Sequence, residues 1–328
     1  MAAMRKDKLI KFAALVIAAV AVVIVGAQLS AQTSATLLFK SGFENNTTLG
    51  TVSGNAPNSI DQSISGTDTS TNFNWSSLWS QWSPNSGLVG LHLIPPHNAT
   101  DALSSHFENA LDTSTAHSGS QSLLMKMTGY PNNNCCAQDV FNSVGMSQPV
   151  NQFYERVWIK FQPELGSLLS SNPGQYYRVL LETKSQSFRL ASYVMADSNG
   201  NGYWYALADN NALQSSGCSP NCTTYWSQSN KSVAVPLNQW FLAEWNIVRS
   251  TSGGTYQMAI NGTTVISHSG QTDQNPSEQL VMLAFKTSTP AIFRHISGWT
   301  TSSCGTPLPA LHFLAEAADR TPLSRPRT

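Results

Sequence analysis

Tyr256-Gln257-Met258-Ala259-Ile260-Asn261-Gly262-Thr263-Thr264-Val265-Ile266-Ser267 reads as two short strands around a two-residue turn. Asn-Gly supplies the positive φ angles that the tightest hairpin turn demands, so Tyr256–Ile260 should fold back onto Val265–Ser267. Outward from this hairpin, the same pattern recurs. Phe241–Val248 precedes it. Tyr154–Gln162 alternates Val157, Ile159 and Phe161 with Arg156, Trp158 and Lys160. Tyr176–Lys184 alternates Val179, Leu181 and Thr183 with Arg178, Leu180, Glu182 and Lys184. Ser122–Thr128, Phe188–Ala196 and Tyr203–Leu207 continue the series, and Asp197–Gly202 is a polar turn between two of its members. A period of two over many short segments, with turn residues between them and few helical stretches, predicts an all-β chain. The architecture expected is a two-sheet antiparallel sandwich.

Composition agrees. Charged residues are 11% of the 328, with Lys+Arg and Asp+Glu both at 18. A neutral chain without a basic stripe has no electrostatic footprint for nucleic acid. Nine Trp and nine Tyr provide core, and also ring faces of the kind that hold sugars. Ala35–Phe43 is expected as a first strand, and Asn45–Gln81 as a long surface excursion carrying Trp75, Trp79 and Trp82 at helical spacing.

The N-terminus reads as a signal helix. Arg5, Lys6, Lys8 and Lys11 precede an uncharged apolar run, Phe12–Ala27, with small-residue cleavage sites expected after Ala27 (Val25-Gly26-Ala27) or Ala31. The run is shorter than the ~20 residues a membrane span needs, so membrane contact is expected only through an uncleaved leader. Either way the body is expected outside the cytoplasm, secreted or at the cell surface, where disulfides form. Cys135, Cys136, Cys218 and Cys222 make two local pairs, and Cys304 is left over. Cys218 and Cys222 flank a short turn that they could clip; the adjacent Cys135 and Cys136 could instead each reach the other pair. Spacing alone leaves the connectivity open.

Several segments together resemble a known group. Ala116-His117-Ser118-Gly119-Ser120-Gln121-Ser122-Leu123, Tyr154-Glu155-Arg156-Val157-Trp158-Ile159-Lys160-Phe161, and Val235-Pro236-Leu237-Asn238-Gln239-Trp240-Phe241 leading to Tyr256–Gly262 follow the order seen in secreted bacterial proteins with a concanavalin A-like (laminin-G and polysaccharide-lyase-like) jelly roll. The resemblance covers roughly residues 36 to 284. It implies a jelly-roll sandwich that handles a polysaccharide or oligosaccharide, by catalysis or by binding alone. It also implies a structural calcium, with Glu44 as a first-strand ligand, and no organic cofactor. Oxygen ligands suit that ion.

Similar proteins close with a strand reading roughly W-V-D-D-x-E-I-W. Here Ile296–Gly305 has poor strand patterning and is followed by a Pro- and Arg-rich tail. Read from the third base of the Gly298 codon, codons permitted by Gly298–Gly305 spell V-D-D-F-E-L-W. We therefore expect residues from about Phe285 onward to be out of frame, with the family's last strand lost. The organisation expected is a leader or anchor over 1–31, a sandwich over 32–284 and an atypical tail over 285–328.

Glycoside hydrolysis needs two carboxylates at a fixed separation. The E-x-D-x-x-E string that glucanases of this fold carry is absent, which disfavours a hydrolase. β-Elimination from a uronate needs instead a cation or amide at the carboxylate and a group that moves the C5 proton. Period two puts Arg178, Glu182 and Lys184 on one strand face, Arg189 and Tyr193 on one face of the next strand, and Tyr203 and Tyr205 on one face of a third. The catalytic set expected is Arg178, Glu182, Lys184, Arg189, Tyr193 and Tyr203. Arg156, Trp158, Lys160 and Tyr205 are expected to bind substrate. His92, His97, His106 and His268 are candidate bases in expected loops. The signature strings of alginate lyases are absent. The alternative is a non-catalytic carbohydrate-binding or adhesive surface module, for which an aromatic platform suffices; Trp204 and Trp226 would join Trp158, Tyr203 and Tyr205 there.

Overall fold

The Asn261-Gly262 turn forms with both residues at positive φ, 49° and 79°. Asn261 clamps it, its N–H donating to Leu242 O and its Oδ1 accepting from Leu242 N, both at 2.8 Å. A computed structural model describes residues 42–53, 60–75, 89–93, 107–127, 139–145, 149–171, 173, 176–212, 222–288 and 311–317. All lie in a unit spanning Lys40–Thr328.

Its strands are β1 (Thr47–Ser53), β2 (Ile60–Asp68), β3 (Phe73–Asn74), β4 (Val89–Leu93), β5 (Phe107–Asp112), β6 (Ser122–Met127), β7 (Asp139–Gly145) and β8 (Gln152–Phe161). One short helix, α1 (Glu164–Ser171), follows. Then come β9 (Tyr176–Lys184), β10 (Arg189–Ala196), β11 (Gly202–Asp209), β12 (Thr224–Asn230), β13 (Trp240–Val248), β14 (Gly254–Ile260), β15 (Thr263–Gly270), β16 (Val281–Ser288) and β17 (Leu311–Ala317). They make a two-sheet antiparallel jelly-roll sandwich. One sheet runs β1-β2-β4-β7-β16-β9-β10-β11-β12, with β3 beside β2, and the other runs β15-β14-β13-β8-β17-β6-β5.

The alternation sets the core. On β8, Phe153, Val157, Ile159 and Phe161 are buried; on β13, Phe241, Ala243, Trp245 and Ile247; on β14, Tyr256, Met258 and Ile260. Register places these opposite one another, Ile159 beside Phe241 and Trp245 beside Met258. From the larger sheet come Leu190, Ser192, Val194, Trp204 and Ala206. Trp204 meets Phe241 with ring centroids 5.9 Å apart, and Trp245 Nε1 donates to Ser192 Oγ at 3.3 Å. Glu155 stands in the same inward row, opposite Trp245 in register. Its Oε2 is buried without a hydrogen-bond partner, and burial pushes its pKa up to about 8.

Two expectations change. Asn45–Gln81 is not one long excursion: β1 and β2 form an antiparallel hairpin there, with β3 beside it. Its strands are rich in Ser, Thr, Asp and Gly, so no apolar alternation marked them. Trp75 is buried, stacked on Phe43 at 5.3 Å and edge-on to Phe73 at 5.6 Å, and Trp79 and Trp82 lie outside the described residues. Of the strand expected over Ala35–Phe43, residues 35–41 lie outside the described residues, and Phe43 sits in no strand but at φ 59°, a turn conformation uncommon for a bulky side chain. Within the tail, β17 pairs with β6 and β8 in the middle of the smaller sheet.

No helix among the described residues is long and apolar enough to cross a membrane. The leader, residues 1–31, and Cys135, Cys136, Cys218 and Cys304 lie outside the described residues. Cys222 is disulfide-bonded.

Candidate functional site

Ser192 and Trp204 point into the core, so their neighbours along β10 and β11 point the other way. Register aligns these outward positions across β9, β10 and β11. Arg189 stands between Lys184 and Asp209, Tyr193 between Arg178 and Tyr205, and Met195 between Tyr176 and Tyr203. Ala191 lies opposite Glu182, and the register shifts between Ala191 and Tyr193. Three strands, each read separately from its period, thus place Arg178, Glu182, Lys184, Arg189, Tyr193, Tyr203 and Tyr205 on one face. Arg189 to Met195 of β10, six residue steps, span it over about 20 Å at strand rise.

An ion cluster occupies one end. Arg189 Nη1 donates to Glu182 Oε1 at 3.0 Å, and its Nε donates to Asp209 Oδ1 at 2.8 Å. Arg189 Nη2 also pairs with Asp209 Oδ2. All three side chains are buried. Burial works against the guanidinium charge, but Tyr193, Glu182 and Asp209 outweigh it and hold Arg189 firmly charged. Lys184 Nζ lies 3.8 Å from Glu182 Oε1 at the partly exposed margin. Asp209 is a member that the sequence reading missed. It is a lone acid at the end of β11, with nothing in its own strand to single it out.

Phenols occupy the rest. The Tyr193 and Tyr205 rings lie 6.0 Å apart. Tyr193 is buried, whereas Tyr203 and Tyr205 are half-buried. Lys231 Nζ sits 4.8 Å above the Tyr203 ring. Burial, then Tyr205 and Asp197, raise the Tyr203 pKa, so it keeps its proton at neutral pH. Tyr225 of β12 stacks on Phe188 at 5.0 Å, and its pKa is raised by burial and by Asp209. The Arg178 side chain lies outside the described residues; its strand position is set by its register with Tyr193.

Arg156, Trp158 and Lys160 do not join this face. They lie on β8, in the other sheet, and alternate with core residues, so they point away from the sandwich interior. Period two assigns a face within a strand but not the sheet to which the strand belongs. Among the expected aromatics, Trp204 is core, and Trp226 stacks on His268 at 4.1 Å while its Nε1 donates to Gln271 O. His92 and His268 lie in strands β4 and β15 rather than in loops, and His97 and His106 are outside the described residues.

Glu44 was the calcium candidate. Its carboxylate accepts from Ser120 N at 2.9 and 3.1 Å, and from Ser120 Oγ at 2.6 Å. Gly119, at φ 73°, lets the backbone approach so closely that a Cβ there would lie 1.9 Å from Glu44 Oε1. Both carboxylate oxygens thus face hydrogen-bond donors from Ser120. Among the described residues no group of three or more His, Cys, Asp or Glu side chains is placed to hold a metal.

No family model matches the chain, and no curated protein matches it. Solved structures similar to it include an endo-β-1,4-glucuronan lyase from the fungus Trichoderma reesei, at 10% identity and TM-score 0.43, over 69% of this chain and 90% of that one. An alginate lyase matches at 12% identity and TM-score 0.39, over 64% and 84%. An endo-β-galactosidase from Clostridium perfringens, which releases GlcNAcα1-4Gal, matches at 10% identity and TM-score 0.35, over 86% and 64%. The likenesses are too distant to assign a reaction to this chain.

Proposed function

We propose that the protein is a polysaccharide lyase that cleaves an acidic glycan by β-elimination outside the cytoplasm. One observation carries this reading: the register of β9, β10 and β11 gathers cations and phenols, and no pair of exposed carboxylates, on a single sheet face. Lys184, partly exposed at the margin of the ion cluster, and Arg178, by its register, are the cations to meet the uronate carboxylate. Neutralising that carboxylate makes the C5 proton acidic enough to leave. Tyr205 is the general base that takes the C5 proton. The C5–H electrons become the C4=C5 double bond, the C4–O bond breaks, and the departing oxygen takes the Tyr203 proton.

Arg189 is a positioning residue. Glu182 and Asp209 engage its guanidinium, so it fixes the floor on which Lys184 stands and biases the charge around Tyr193. The Cys222 disulfide supports the extracytoplasmic location, since such bonds persist in oxidising compartments.

Mass spectrometry of the products tests the reaction type. Elimination leaves a non-reducing end lighter by one water than hydrolysis leaves. Hydrated ends from a uronate polymer would contradict the proposal. The alternative of a binding module without turnover draws support from the burial of Arg189, Glu182 and Tyr193. It predicts retention of the polymer with no product of either mass.

A further inference from the structure

The cations of the candidate face differ in what already engages them. Arg189 is held by Glu182 and Asp209, and Lys184 Nζ lies 3.8 Å from Glu182 Oε1. Lys231 stands apart from them. It follows β12, just past the last register pair, Trp204 with Asn230, so its side chain falls on the outward face beside Tyr203. It is exposed, and its Nζ stands 4.8 Å from the centroid of the Tyr203 ring. It makes no ion pair among the described residues.

The chain around it is fixed without its help. Asn230 Oδ1 accepts from Ser232 N and Ser232 Oγ at 3.0 Å and from Val233 N at 3.1 Å, which sets the turn that carries Lys231. Asp197, between β10 and β11, is near enough to feel the Lys231 charge, but the Asn201 N–H is the main cause that holds its carboxyl below the usual range. Its oxygens accept from Asn199 N and Asn201 N, both at 2.8 Å, and from Asn201 Nδ2 at 3.2 Å. This acid serves its own turn. The Tyr203 ring steadies the ammonium through its electron-rich face, and a cation so held keeps N–H donors for an anion.

Position along the strands decides which anion it meets. Lys184 and Tyr203 stand opposite Arg189 and Met195, six residue steps apart on β10, about 20 Å. One sugar cannot span that, so Lys184 and Lys231 serve different units of a chain. Arg178 and Tyr205 flank Tyr193 in register, and on the lyase reading the reacting uronate sits there. Tyr203, two residues from Tyr205 on the same face of β11, then meets the departing oxygen. The sugar that keeps this oxygen lies beyond Tyr203, on the side of Lys231.

We propose that Lys231 is a specificity-determining residue that binds the carboxylate of the sugar keeping the departing oxygen, so that the site selects glycans with adjacent uronates. This rests on the proposed elimination for the order of sugars along the face.

Steady-state kinetics on two polymers test it, one of adjacent uronates and one in which uronates alternate with neutral sugars. The wild-type preference for the first, as a ratio of kcat/KM values, should fall about fivefold in Lys231→Gln, the scale of one exposed ion pair, with the loss in KM. Lys231→Arg should keep it. An unchanged preference overturns the proposal, and so does an equal loss on both polymers, which would mark Lys231 as a support for the Tyr203 ring. Affinity electrophoresis gives a readout without turnover. In a Tyr203→Phe background, which keeps a ring beneath the ammonium, adding Lys231→Gln should weaken retention by a polyuronate about fivefold and leave retention by its carboxyl-reduced form as it was. No retention by the polyuronate, no weakening, or equal weakening on both overturns the proposal. Absence of product from the wild type on every uronate polymer counts against the lyase reading alone, and retention then decides the role of Lys231.

Discussion

Replacing Arg189 with methionine strips the positive charge from between two buried carboxylates. Glu182 and Asp209 side chains are each 4% exposed, so neither can turn to water for compensation. Breaking such a pair from one side costs about 3–5 kcal/mol, because the stranded charges stay buried. Lys184, 3.8 Å from Glu182, offsets part of this and places the expected loss near the lower end, about 3 kcal/mol. Urea unfolding followed by tryptophan fluorescence should show a midpoint lowered by about 1 M at pH 7, with a slope of about 3 kcal/mol/M. Adding Glu182→Gln and Asp209→Asn should restore most of the loss. A deficit below about 1 kcal/mol at pH 7, or one that the added Glu182→Gln and Asp209→Asn leave unchanged, would refute the buried ion cluster.

Glu155 gives a second titration: its folded pKa of about 8 lies above the ordinary 4.5, so its contribution is intact below pH 4.5 and lost as pH rises through 8. Glu155→Gln should therefore flatten stability against pH across that window, by on the order of 4 kcal/mol, and an unchanged slope counts against a carboxyl in the core. Since Glu44 is satisfied by Ser120, chelator treatment or added calcium should move Tm by less than about 1 °C; a clear rise with calcium would show that the carboxylate serves an ion instead. Gly119→Ala should destabilise by at least about 2 kcal/mol, since its Cβ strikes Glu44 and its φ is unfavourable, and a neutral result in a thermal melt would contradict that close approach. Sequencing the gene should reveal V-D-D-F-E-L-W in the alternative frame across Gly298–Gly305; a read without it ends the frame-shift expectation.

The strands legible in the sequence were those with one apolar and one polar face. β8, β9, β10, β11, β13 and β14 follow from their period within a residue or two, because one side of each lies in the core. β1 and β2 carry too few apolar residues to announce themselves, and β12 reads as Thr-Tyr-Trp-Ser-Gln-Ser-Asn with no buried position. The candidate face was legible strand by strand, since Lys184, Glu182 and Arg178 share one face by period alone. What joins Tyr193 to Arg178 and Tyr205, or brings Asp209 onto Arg189, is register between strands, which no local pattern encodes. For the same reason Arg156, Trp158 and Lys160 resembled members of the cleft until the sheet order separated them. Glu44 reads as a ligand in isolation; the turn at Gly119 and Ser120, far away in the chain, gives it its partners.

Near-ultraviolet absorbance during incubation with a panel of uronate-containing polysaccharides tests the central proposal most directly. The account predicts growth of the conjugated C4=C5 band on at least one polymer, abolished by Lys184→Ala and by Tyr203→Phe. A flat trace from folded protein on every polymer, or a rising trace indifferent to both substitutions, would contradict it.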